Sequence, residues 1–325
     1  MINREFDLVS PNIKGYIRNR AKYLTCNPSY FITHNSMTKN KLEEEANRHS
    51  VSIELVDFCT TDSESKKLKI QEKKRCETSL REARRWALDN YSLPLSKDYI
   101  ELVGSMVDSV VNDAGFRKDK VRVTNSPYSP PSPEKINREL NIFLWENEAI
   151  KDPLEKAIHA HLGIARVHPF NDGNGRTSRL IQDTILREKG LPLPMIPLYE
   201  RPEYIQKIGD AISSHYEREA VIQGRTLNIL SDLRELATNA DNLPEGQIKR
   251  GKYLARLMLS LKVTPEQNAF YDFIALKVLN GLSEQLRDLY PSEKEMAKFL
   301  KMKKENQKAS FNPSKPPAHF SGLKH

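Results

Sequence analysis

HPFNDGNGRTSR, running from His168 to Arg179, is the stretch on which the reading of this chain turns. Before it, PLEKAIHAHLGIARV (Pro153 to Val167) carries apolar residues at helical spacing. After it, SRLIQDTILREKG does the same and stops at Gly190. The run therefore reads as helix, short loop, helix N-terminus. At such a start backbone N–H groups converge without intrahelical partners, and the helix dipole is positive. Gly173-Asn174-Gly175 lets the backbone approach an anion with no Cβ in the way. Arg176 and Arg179 lie three residues apart, so both can turn guanidinium forks toward phosphate oxygens. Asp172 offers a hard oxygen suited to Mg²⁺. His168 can accept a proton from an attacking hydroxyl at neutral pH. Phe170, apolar within a polar loop, is expected to anchor it to the core.

The rest of the chain sets the bounds. At 325 residues it can bury one full core and has length for two. A hydrophobic content of 38% with a mean hydropathy of −0.62 describes a charge-rich, mainly helical, soluble protein. No apolar run approaches the length of a membrane span, and MINREFDLVS lacks the pattern of a secretory leader. Cys26, Cys59 and Cys76 are odd in number and not at metal spacing, so they read as reduced thiols of a cytoplasm-like compartment. Export into another cell is left open by the sequence.

Three regions follow from texture. Residues 1–78 form a helical lead-in. Residues 79–232 form a core that includes the motif, and residues 233–325 a basic helical domain. In the core, LSKDYIELVGSMVDSVVNDAG puts Leu102, Val103, Met106, Val110 and Val111 on one predicted stripe closed by Gly115. FRKDKVRVTNSPYSPPSPEKI then alternates Val121 and Val123 with polar residues and carries Pro127, Pro130, Pro131 and Pro133. That pattern fits a short β-hairpin or flap, not a helix. The net charge of +8 is concentrated late: Leu233 to His325 holds 16 Lys+Arg against 10 Asp+Glu. A solvated surface accounts for this, and so does an anionic partner.

The motif resembles the signature of the Fic (Fido) family, HxFx[D/E]GNGRxxR, at every specified position. Supporting likeness runs from about Leu80 to Gly224, with Gly115-Phe116-Arg117, the proline-rich stretch Pro127 to Pro133 and Ala160-His161. The resemblance implies a mainly α fold: a Fic-type helical core with a short β-hairpin flap, followed by a C-terminal helical domain. It implies transfer of AMP from Mg·ATP to a Ser, Thr or Tyr hydroxyl of a protein, with pyrophosphate released. His168 would be the general base and Asp172 would hold Mg²⁺. Gly173, Asn174 and Gly175 would cradle the α- and β-phosphates, and Arg176 and Arg179 would meet the β- and γ-phosphates. Val123, Thr124, Tyr128 and Pro131 would line the target-binding flap, which takes up a peptide by strand addition.

Many members carry an inhibitory helix, [S/T]xxxE[G/N], whose Glu pairs with the second motif arginine and, in bifunctional members, supports AMP removal. The expected site for it here is ITHNSMTKNKLEEEA, Ile32 to Ala46. One register puts Thr38 where the Glu belongs; a second uses Glu45, followed by Ala46 and Asn47. Behind the core, PSEKEMAKFLKMKKENQKASF resembles the start of a plain or winged helix-turn-helix. Ser292 and Glu295 would form a capping box there, with Lys301, Lys303 and Lys304 expected to meet DNA phosphates. A bundle that packs on the core or mediates dimerisation is the alternative. The resemblance makes a homodimer the expected assembly.

Overall fold

Asp152 starts the helix that delivers the motif: its carboxylate accepts from the N–H groups of Leu154 (3.0 Å) and Glu155 (3.3 Å), with Pro153 at the first helical position. In the computed structural model, which describes residues 7–25, 37–55, 63–91, 94–123, 128–223 and 227–289, this is the sixth of a series of helices. In order they are α1 (Pro11–Thr25), α2 (Met37–Leu55), α3 (Ser63–Asn90), α4 (Lys97–Val107), α5 (Ile136–Ala149), α6 (Pro153–Val167) and α7 (Asn174–Glu188). Then come α8 (Arg201–Gln223), α9 (Leu227–Thr238), α10 (Glu245–Lys262) and α11 (Pro265–Leu289).

Helices α6 and α7 flank the motif loop and make the most extensive pairing in the molecule. Helix α6 is buried nearly all round, and α4, α3 and α2 lie against α7. On the far side α5, α9 and α10 pack together through Ile142, Trp145, Leu230, Leu233, Leu254 and Met258. Gly251 faces the Trp145 ring so closely that a Cβ would overlap it. Residues 1–282 make one compact unit and residues 283–325 another, so the boundary read at residue 233 falls inside the first unit. The residues read as a helix-turn-helix, including Lys301, Lys303 and Lys304, lie outside the described residues, as do Cys26 and Cys59.

Two expectations change. Helix α4 stops at Val107, and its buried face is Tyr99, Ile100, Val103, Gly104 and Val107, whereas Leu102, Val110 and Val111 face solvent. The cause is Asp108, whose buried carboxylate is drawn out of the helical path by Arg75 (2.7 Å) and Arg176 (3.3 Å). In the flap region, Val123 is irregular and half-buried, Thr124 lies outside the described residues, and no β-strand occurs among the described residues. Tyr128 is buried, stacked on Tyr216 with its hydroxyl donating to the Arg166 carbonyl, so it anchors the segment rather than lining a groove. Among the described residues no helix is long and apolar enough to cross a membrane.

Candidate active site

His168 ends α6 in the left-handed region (φ 51°), an uncommon place for a residue with a Cβ. The turn aims its side chain back at the last turn of α6, where Nδ1 lies 3.3 Å from the Ala165 carbonyl. A carbonyl only accepts, so Nδ1 carries the proton and Nε2 keeps its lone pair. Burial pushes the imidazole pKa down to about 4, with Arg117 lowering it further and the Ala165 carbonyl and Glu54 opposing. His168 is a neutral base across the physiological range.

The loop after it is tied on every side. Phe170 is fully buried against Phe116 and the bare Cα of Gly104; burying such a ring stabilises by roughly 1.5–3 kcal/mol. Asn174 closes the loop reciprocally: its Oδ1 accepts from Phe170 N (2.9 Å) and its Nδ2 donates to Phe170 O (2.8 Å). Its side chain is thus committed to the loop, which leaves its backbone N–H to face a ligand. Asn112 clamps Asp172 by both backbone groups, and Arg117 donates to the carbonyls of His168 (2.8 Å) and Pro131 (2.5 Å), tying the flap segment to the motif.

Gly173 sits at φ 72° and caps α7, and the first intrahelical bond runs from Thr177 N to Gly173 O. The N–H groups of Asn174, Gly175 and Arg176 therefore have no helical acceptor and form the anion cradle. The carboxylate of Asp172 is 58% exposed; one oxygen accepts from Gly173 N (2.6 Å) and the other lies 3.3 Å from Arg176. Hard carboxylate oxygens at the open side of the cradle fit a magnesium ion that keeps several waters and phosphate ligands.

An anion already stands beside this cradle, on the two motif arginines. Glu54, in the last turn of α2, places Oε2 2.6 Å from Arg176 Nε and Oε1 2.8 Å from Arg179 Nη2. A Cβ on Gly175 would lie 2.5 Å from Glu54 Oε1, so the carboxylate reaches the backbone only because glycine is there. Arg179 also donates to the Ser50 hydroxyl (2.8 Å) and the Ser50 carbonyl (2.9 Å). Both expected registers of the inhibitory helix are corrected by this geometry. Thr38 is in the first turn of α2, roughly four turns or ~24 Å from Glu54 along the axis. Glu45 pairs with His49 (3.6 Å) and is half-exposed. The residues that meet the arginines form Ser50-x-x-x-Glu54, with Leu55 where the family pattern has Gly or Asn.

A signal for this register exists in the sequence. Glu43, Asn47, Ser50 and Glu54 recur at spacings of four, three and four, one polar stripe on a helix. Each meets a partner on or beside α7: Glu43 with Arg187, Asn47 with Arg84 (2.8 Å), which also holds Asp183 (2.8 Å), Ser50 with Arg179, and Glu54 with both motif arginines. The two helices run antiparallel and zip through polar groups. Sequence reading also missed Asp108 and Asn112, both in the turn after α4, and Tyr204 on α8; none shares a spacing with the motif.

The region that holds this site has likenesses among known proteins. Residues 94–186 match the Fic/DOC family. It is 35% identical over 100 residues to protein adenylyltransferase Fic from Nematostella vectensis, spanning 30% of this chain and 23% of that one. It is 41% identical over 81 residues to protein adenylyltransferase fic-1 from Caenorhabditis elegans, spanning 24% of this chain and 16% of the relative. The chain thus covers under a quarter of the length of these curated relatives. A solved Fic-domain-containing signalling protein from Bacteroides thetaiotaomicron superposes with a TM-score of 0.55 at 19% identity, covering 85% of this chain and 97% of that one. A fragment of Fic-1 from C. elegans superposes with a TM-score of 0.51 at 18% identity, covering 86% and 73%. At these identities the solved structures speak for the fold.

Proposed function

We propose that this protein is an adenylyltransferase that moves AMP from ATP to a Ser, Thr or Tyr hydroxyl of a target protein, held off by Glu54. The observation that carries the reading is the Glu54 carboxylate seated between Arg176 and Arg179, an anion where phosphate oxygens would lie, beside a histidine whose Nε2 is free to take a proton. The orphan N–H groups of Asn174, Gly175 and Arg176 receive phosphate oxygens, and Arg176 and Arg179 hold the outer two phosphates. The hydroxyl proton passes to His168 Nε2 as the hydroxyl oxygen bonds to the α-phosphorus. The bond from that phosphorus to the bridging oxygen breaks, and pyrophosphate leaves with its electron pair. Asp172 would hold Mg²⁺, which supplies charge neutralisation for the phosphates. Val123 and Pro131 lie on the segment that would present the target.

The test is incubation with α-labelled ATP, Mg²⁺ and a protein lysate. Label appears on protein with Glu54→Gly and is absent with Glu54→Gly/His168→Ala; equal labelling by both would overturn the base assignment. Competition with unlabelled UTP, GTP or CDP-choline identifies the donor. Glu54 also makes the bifunctional reading concrete: removal of AMP from labelled target is expected with the wild type and lost with Glu54→Gly. The excess of positive charge in the last third supports a DNA contact through Lys301, Lys303 and Lys304, tested by a mobility shift that weakens steeply with salt. A homodimer is the proposed assembly, tested by sedimentation.

A further inference from the structure

Arg179 makes four polar contacts among the described residues. Three go to α2: the Ser50 hydroxyl, the Ser50 carbonyl and Glu54. The fourth runs from Nη1 to the Tyr204 hydroxyl on α8, 3.2 Å away. Tyr204 is thus the one of these partners that does not belong to α2, and it stays with Arg179 when that helix withdraws.

That hydroxyl is backed by a chain whose proton directions follow from the donors. Guanidinium nitrogens only donate, so Tyr204 Oη accepts from Arg179 and gives its own proton to His161 Nε2, 2.9 Å away. Nε2 must then be the lone-pair nitrogen, and Nδ1–H donates to Gln182 Oε1 at 2.8 Å. Every member is satisfied, and all three side chains are buried. The Tyr204 ring is wedged between His161 (centroids 5.8 Å) and Phe270 (6.4 Å), and the Arg179 guanidinium lies 5.9 Å from its centre. Burial, helped by the Arg179 charge, holds the His161 pKa down to about 3, so the chain keeps one polarity at any working pH.

We propose that Tyr204, oriented by His161 and Gln182, is the positioning residue that keeps Arg179 aimed at the terminal phosphate once Glu54 has released it. This rests on the reading of Arg179 as a γ-phosphate ligand. A free arginine side chain carries much rotamer entropy, and a fixed acceptor removes that cost before ATP arrives.

The experiment compares ATP and ADP affinities by calorimetry, with KM and kcat for AMP transfer, in Glu54→Gly and Glu54→Gly/Tyr204→Phe. Glu54→Gly is expected to prefer ATP over ADP. Adding Tyr204→Phe weakens ATP binding and raises its KM by about tenfold, the scale of one hydrogen bond to a charged group, and leaves ADP affinity unchanged. His161→Leu, which keeps the tyrosine and removes its acceptor, shifts the same ratio in the same direction and serves if Tyr204→Phe does not fold. Unchanged ATP affinity in both variants overturns the proposal. So does an equal loss for ATP and ADP, which would mark a structural role only. A Glu54→Gly protein with no ATP preference overturns the γ-phosphate reading itself, and the anchor falls with it.

Discussion

Glu54 Oε1 lies 2.8 Å from Arg179 Nη2, and its other oxygen holds Arg176 at 2.6 Å, so one carboxylate bridges both motif arginines. On the proposed reading, a phosphate chain has to displace it. Substituting Glu54→Gly is expected to raise the initial rate of AMP incorporation by about tenfold or more, since ~1.4 kcal/mol of released competition is a factor of ten. Glu45→Gly, which removes a partner of His49 only, is expected to change the rate less than about twofold. The labelling assay reads both, and a larger response at residue 45 would move the restraint back to that register.

The half-buried imidazole of His168 gives the pH dependence a sign. Its pKa is held near 4, so the base is neutral above that value and protonated below it. The rate of AMP transfer is expected to be flat from pH 6 to 8 and to fall only as pH approaches the low fours. Glu54 raises this pKa by its negative charge, so Glu54→Gly moves the acid limb lower still. A pH–rate profile for kcat/KM that bends between 6 and 7 contradicts this placement of the base.

Gly104 is where α4 lets the Phe170 ring in, and a Cβ there would fall inside the ring's envelope. Gly104→Ala is expected to cost about 1–3 kcal/mol of stability and to disturb the loop that presents His168. Thermal melting and the labelling rate should fall together. A melting point within a degree of the wild type would mean that the ring has room to shift.

Arg84 joins α3 to both halves of the polar zipper, holding Asn47 of α2 and the buried Asp183 of α7. Arg84→Met strands a buried carboxylate and is expected to lower unfolding stability by about 3–5 kcal/mol. Arg84→Met/Asp183→Leu is expected to regain most of that. A urea unfolding series on the singles and the double gives the coupling. Because the same arginine holds Asn47, the double variant should also label faster than the wild type through looser seating of α2.

The motif loop was legible because its determinants are local. Helix α6 starts where Asp152-Pro153 says it should, α7 begins at Asn174, and Gly190, at φ 68°, ends the second helix where glycine was expected to. Phe170 anchors the loop as its lone apolar character implied. The rest of the site was not legible because it is assembled from distant chain. Asp108 broke a helix whose apolar stripe ran on past it, and only the arginines it serves explain why. Glu54 was overlooked because Leu55 departs from the Gly or Asn of the family pattern, although the polar stripe from Glu43 to Glu54 was present in the sequence. Tyr204 had no local signature; the role proposed for it comes from its contact with Arg179.

Chain order adds a temporal meaning to the Glu54–arginine contact. Glu54 precedes Arg176 and Arg179 by 122 and 125 residues, on the order of ten seconds of ribosomal synthesis. The carboxylate is therefore made, and its helix exposed to folding, well before Arg176 and Arg179 leave the ribosome. On the proposed reading, no stage of biosynthesis offers the arginines to a nucleotide before their competitor exists. The restraint is older than the site it restrains, and each molecule is born with it already to hand.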